Sequence, residues 1–236
     1  MKRVISLYSD DFYKKKAEEF YREARGYVEE KKYKEAATAF QQASQFDAYN
    51  PEYSYFAGVY YYMVDEIEEA LSFLKKALKI SPEETEFQYT YAKILYRNNE
   101  ISKASVIFQR IAEEEMNLQA MIHWARCLSK ENKHEKAIDV LQNVLFMDPA
   151  NHEALFELGC VYVGLHNYSK AEEIFKKNMK KNRYYLAPRY FLAKVYWKTR
   201  KHDEAIEILM KIKKEFPEET ELADKYIKGI QMAKNI

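Results

Sequence analysis

Glycine and proline are scarce in this chain of 236 residues, with five of each. A multi-stranded β protein needs Gly, Pro and Asn-Gly turns at its corners, so that class is excluded. The glycines, Gly26, Gly58, Gly159, Gly164 and Gly229, form neither a G-x-G-x-x-G motif nor a P-loop, which excludes phosphate-cradling loops. Cysteine is rarer still. Cys127 and Cys160 make no C-x-x-C pair and cannot staple a secreted scaffold, so a reducing, cytoplasmic setting is expected. No apolar run approaches the length of a membrane span, and residues 1–11 are basic without the apolar stretch of a secretory signal, so neither is expected. Nor is one charge in excess: 38 basic residues face 37 acidic ones, which argues against a dedicated nucleic-acid binder. What the chain has in abundance is aromatic residues (15%, including 21 Tyr) and charged ones (32%). The pattern is that of a largely helical protein.

Self-similarity organises these residues. Alanines at 36, 70, 104, 137, 171 and 205 each close a short segment such as Tyr33-Lys34-Glu35-Ala36 or His202-Asp203-Glu204-Ala205, with spacings of 34, 34, 33, 34 and 34. Four residues after each comes a large apolar side chain: Phe40, Leu74, Phe108, Leu141, Phe175, Leu209. Twelve residues before each lies a small one: Ala24, Gly58, Ala92, Ala125, Gly159, Ala193. A period of this length marks a stacked array of helix pairs.

The pattern resembles the tetratricopeptide repeat (TPR), most closely in the second unit, where Gly58, Tyr61, Ala70, Leu74, Ala77 and Pro82 each stand at the expected offset. The resemblance implies an all-α fold, a right-handed superhelical solenoid of antiparallel helix pairs. Six units are expected at 17–50, 51–84, 85–117, 118–151, 152–185 and 186–219, preceded by an arm or first-helix extension over 1–16 and closed by a capping helix over 220–236. Small side chains at repeat positions 8 and 20 let the paired helices approach, and the large residue at position 24 fills the gap to the next unit. The third unit departs from the pattern, being one residue short with Met116 where Pro is usual, and the fifth has Arg183 there. Pro188 then falls in the first turn of a helix, an allowed place. In the final helix Leu222, Tyr226 and Ile230, with Ala223 and Ile227, are expected on one covered side. At the other end Val4, Ile5, Leu7, Tyr8 and Phe12 are apolar enough to cover the first repeat, with Asp10 or Asp11 capping a lengthened helix, or to form a docking arm.

No catalytic constellation is present. His123, His134, His152, His166 and His202 never pair at i, i+4, and neither cysteine has an activating neighbour. No enzyme, metal or cofactor is expected. The resemblance places binding on the concave face, lined by the first helix of each unit, where positions 5, 9 and 12 share one side. Position 5 offers Tyr21, Tyr55, Tyr89, Phe156 and Tyr190. Position 9 offers Arg25, Lys93, Arg126 and Lys194, and position 12 offers Tyr62, Tyr96 and Trp197. Arg97, Lys130 and Lys198 add charge one position on. Glu18, Glu52, Glu86 and Glu153 at position 2 partly offset these cations. Tyrosines supply flat area and a hydroxyl while Arg and Lys meet carboxylates, so the groove suits an acidic or aromatic-acidic extended peptide. The TPR clamp for a chaperone's terminal carboxylate is absent, because Tyr21, Arg25, Phe56, Glu86 and Thr90 occupy its positions. The expected role is a non-catalytic protein-interaction scaffold, with no nucleic acid and no membrane as partner. Homo-oligomeric assembly through the terminal elements is the alternative, and an RNA-binding helical repeat a third.

Overall fold

The computed structural model describes residues 2–234, with side chains from 11 to 233. Among these residues every regular element is helical. A first compact unit, up to Glu115, contains α1 (Lys2–Glu29), α2 (Tyr33–Phe46), α3 (Pro51–Met63), α4 (Ile67–Ile80), α5 (Thr85–Arg97) and α6 (Ile101–Glu115). A second, from Met116, contains α7 (Leu118–Lys130), α8 (His134–Met147), α9 (His152–Gly164), α10 (Tyr168–Lys181), α11 (Ala187–Lys198), α12 (His202–Glu215) and α13 (Thr220–Lys234). Within each unit consecutive helices pack on one another, and first helices also touch, α3 on α5, α7 on α9 and α9 on α11.

Side-chain size at fixed spacing drives this packing. All six alanines of the repeat signature are fully buried, as are Phe40, Leu74, Phe108, Leu141 and Phe175. A methyl added at Gly58 would lie 2.8 Å from Leu74 Cγ and 3.0 Å from the Ala70 carbonyl oxygen, and one at Gly159 would overlap the Phe175 ring. The close approach expected at position 8 is therefore present. Asparagines open several helices: Asn50, Asn117, Asn151 and Asn167 accept from the backbone N–H groups of Glu52, Ala120, Ala154 and Lys170. Pro188 sits in the first turn of α11, as expected.

The scarcity of glycine has a structural counterpart. Each first helix ends on a residue in the left-handed region, namely Lys31, Asp65, Asn99, Asn132, His166 and Arg200, with φ between 57° and 67°. The next N–H reaches back to close the turn, as in Glu66 to the Tyr61 carbonyl (2.9 Å) and Lys201 to that of Tyr196 (2.8 Å). This is the Schellman closure, which usually recruits glycine and here uses none. Met116, at φ 50°, adds a left-handed residue at the seam where the third repeat is one residue short.

Two expectations are corrected. Asp10 and Asp11 lie inside α1, which already runs from Lys2, so neither stands at a helix start; the side chains of Val4, Ile5, Leu7, Tyr8 and Asp10 lie outside the described residues. In α13, Ala223 and Ile230 are buried and Ile227 packs on the core beneath, but Leu222 and Tyr226 are 44% and 47% exposed. Successive residues turn by about 100° around a helix, so stripes one residue apart face different ways.

Candidate interaction surface

In the first unit the expected aromatic row is largely consumed by packing. Tyr21 lies half-buried against Phe40, Tyr53 and Phe56, with ring centroids 5.6, 5.4 and 6.1 Å away. Tyr55 is buried and stacks on Phe87 at 4.4 Å. Its hydroxyl donates to Glu86 Oε1 (2.9 Å) and lies 3.2 Å from Thr90 Oγ1. Burial, reinforced by the Glu86 carboxylate, pushes its pKa up to about 12. The Arg97 guanidinium covers the Tyr62 ring at 5.0 Å while its Nη2 pairs with Asp65 at 2.7 Å. Tyr89 meets Phe108 edge-on at 5.6 Å, and Tyr96 is half-buried. Arg25 and Lys93 remain exposed, and Lys93 Nζ stands 5.8 Å above the Tyr89 ring.

The second unit corrects the charge expected of the row. Arg126, on α7, is held by two carboxylates of α9: Nη2 to Glu153 Oε1 at 2.7 Å and Nε to Glu157 Oε1 at 2.8 Å. Two carboxylates of the chain itself thus take up this guanidinium, and its charge is offset within the protein. Burial raises the Glu157 carboxyl above its ordinary range, although Arg126 pulls the other way. Phe156 packs among Phe175, Tyr185 and Phe191. The Tyr190 hydroxyl donates to Glu219 Oε2 (2.9 Å), and its ring is 5.7 Å from that of Tyr226. Burial and the Glu219 carboxylate raise its pKa. Lys130, Lys194 and Trp197 are exposed, with Lys194 Nζ 5.7 Å above the Phe191 ring. Burial likewise raises both thiols, Cys127 to about 12 and Cys160 further.

The candidates thus divide into packed or paired residues (Tyr21, Tyr55, Arg97, Arg126, Phe156, Tyr190) and accessible ones, of which Lys93, Lys194 and Trp197 stand out. A sequence signal for the pairing existed. Glu86 follows Tyr55 by 31 residues and Glu153 follows Arg126 by 27, spacings that bring a position-2 acid of one repeat against the first helix before it.

Family models agree with this helix-pair architecture. Two tetratricopeptide-repeat models match residues 21–85 and 163–225, and that of subunit 3 of the anaphase-promoting complex, cyclosome, matches residues 73–144. The chain is a tetratricopeptide-repeat protein. TPR proteins are protein-interaction scaffolds. The BBSome complex member BBS4 homolog of Drosophila melanogaster is 24% identical over 61% of this chain, and a TPR repeat-containing protein of Methanocaldococcus jannaschii 25% identical over 71%. This TPR chain spans 32% and 30% of those proteins' lengths. Among solved structures, a TPR protein from Parabacteroides merdae superposes with a TM-score of 0.76 at 15% identity, covering 84% of this chain and 79% of that one. YrrB, a TPR protein with an unusual peptide-binding site, gives 0.60 at 22% identity, covering 72% and 88%. At these identities the likeness shows the fold. Among the described residues no helix is long and apolar enough to cross a membrane.

Proposed function

We propose that this TPR protein is a non-catalytic scaffold that holds an extended acidic or aromatic-acidic segment of a partner against its first helices. The observation that carries the reading is the pair Lys93 and Lys194, one in each compact unit. Each is exposed at repeat position 9, stands over an aromatic ring (Tyr89, Phe191), and has no carboxylate within ion-pair distance among the described residues. A cation already seated on a ring face is restrained and still has donors for an incoming carboxylate. The free thiols of Cys127 and Cys160 are compatible with a cytoplasmic setting. The test is a binding titration with a labelled dodecapeptide of Asp, Glu and Tyr, alongside a counterpart in which Lys replaces every acid. The acidic peptide should bind the wild-type chain, the basic one should not, and Lys93→Glu with Lys194→Glu should abolish binding without changing the helical circular dichroism. Undiminished binding by that double variant would sink the reading.

Self-association is the second reading, favoured by exposed aromatics at one end of the first unit: Phe12 (56%), Tyr13 (49%) and Tyr49 (89%). Light scattering decides it. A monomer at high concentration that is unaltered by Phe12→Ser with Tyr13→Ser removes this reading.

A further inference from the structure

The last helix has two apolar faces. Ala223, Ile227 and Ile230 cover the core below, while Leu222 and Tyr226, spaced by one turn, stay nearly half-exposed beside α11. A helix that only covers the core below it needs polar residues on its other side. Instead Leu222, Tyr226 and Gly229 join Trp197 of α11 around a cleft of about 300 Å³, with Lys225 at its edge and Ile230 at its floor. Trp197 keeps 39% of its surface exposed in this cleft. Gly229 leaves it open, since a methyl placed there meets no atom within 4 Å.

Lys225 lines the cleft, and the surface adjoining it carries both signs, with Glu218, Glu221 and Asp224 standing with Lys228 beside Leu222. Lys194 and Lys198 flank Trp197, and Lys225 and Lys228 flank Tyr226. None has a carboxylate within ion-pair distance among the described residues. Of the nearby acids, Glu219 accepts the Tyr190 hydroxyl and Asp224 pairs with Lys213 at 2.5 Å, leaving Glu218 and Glu221 against these four lysines. An apolar, aromatic cleft with a lysine in its lining, between two helices whose basic residues outnumber their acids, matches an acidic segment bearing one bulky apolar side chain. Resting on the acidic-segment reading, we infer that the cleft between α11 and α13 is the anchor of that segment and receives a leucine or phenylalanine from it.

Two blocked peptides test this by calorimetric titration of the full chain: eight Asp and Glu residues around a central Leu-Phe, and the same peptide with Ala-Ala at the centre. The wild-type chain should bind the Leu-Phe peptide about 10-fold tighter, the effect of burying most of one large apolar side chain. Gly229→Leu, which places a side chain in the cleft, should make the two peptides equal, and Gly229→Ala should preserve most of the difference. Tyr226→Ser replaces Gly229→Leu should that variant melt early. Equal binding of both peptides by the wild-type chain overturns the anchor and leaves the acidic-segment reading standing. A 10-fold preference that survives both cleft variants also overturns the anchor, and binding of neither peptide overturns both. A wild-type dimer that Gly229→Leu dissociates would instead assign the cleft to a second copy and overturn the inference.

Discussion

Gly58 and Gly26 lie in helices of the same compact unit, and replacing each by alanine should move stability in opposite directions. Alanine is favoured over glycine in a helix interior by about 0.8–1.0 kcal/mol, and both substitutions gain this term. At Gly26 nothing lies within 4 Å of the new methyl, so the gain is realised in full. At Gly58 the methyl would stand 2.8 Å from Leu74 Cγ and 3.0 Å from the Ala70 carbonyl oxygen. Leu74 is fully buried and a backbone oxygen cannot rotate aside, so α3 and α4 must separate. Overpacking of this kind costs about 1–3 kcal/mol, which exceeds the propensity gain over most of its range. The two variants should therefore differ by about 2 kcal/mol, or about 1 M in urea midpoint at an ordinary denaturant dependence. Urea titration followed by circular dichroism reads this directly, because both sites report on one unit. A Gly58→Ala midpoint raised as far as that of Gly26→Ala would refute the claim that close helix approach dictates the small residue at position 8.

Tyr55→Phe removes a hydroxyl satisfied within the protein. Thermal or urea melting should show a loss of about 0.5–1.5 kcal/mol, while acidic-peptide affinity stays within about twofold. Arg200→Gly relieves a non-glycine residue at φ 62° and should stabilise the second unit by about 0.5–1 kcal/mol, read as a higher urea midpoint. Glu157 should leave a signature in the pH dependence of stability. Its folded carboxyl is raised above the unfolded value of about 4.3, so its contribution is complete below that value and is lost as pH rises through the folded one. Glu157→Gln, which cannot ionise, should gain on the wild-type chain over that window in urea melts. A difference between the two that does not change with pH counts against it.

The repeat architecture was legible because it depends on side-chain size at a fixed period. Ala36 and its five counterparts, and Phe40 with its own, are buried because each repeat solves the same local packing problem. The turn closures were less legible. Lys31 and Arg200 are not residues that announce a left-handed conformation, and the backbone hydrogen bonds of the helix end hold them there. The candidate surface was legible as a set of positions, but the accessibility of each member was not. Tyr55 and Lys93 both belong to the row, yet one is sealed by Glu86, Thr90 and Phe87 while the other is open.

By itself the sequence determined the fold class, the helix-pair period, the residues at the helix contacts and the absence of glycine-built turns and loops. Those properties follow from local size and periodicity, which no partner helix can change. Only the tertiary structure decided that Arg126 is neutralised by Glu153 and Glu157, that Lys93 and Lys194 keep their charge available, and that Leu222 and Tyr226 open a cleft with Trp197 instead of joining the core. The reason is geometric. An ion pair or a cleft belongs to two helices at once, and a one-residue step in either turns a side chain through about 100° from partner to solvent.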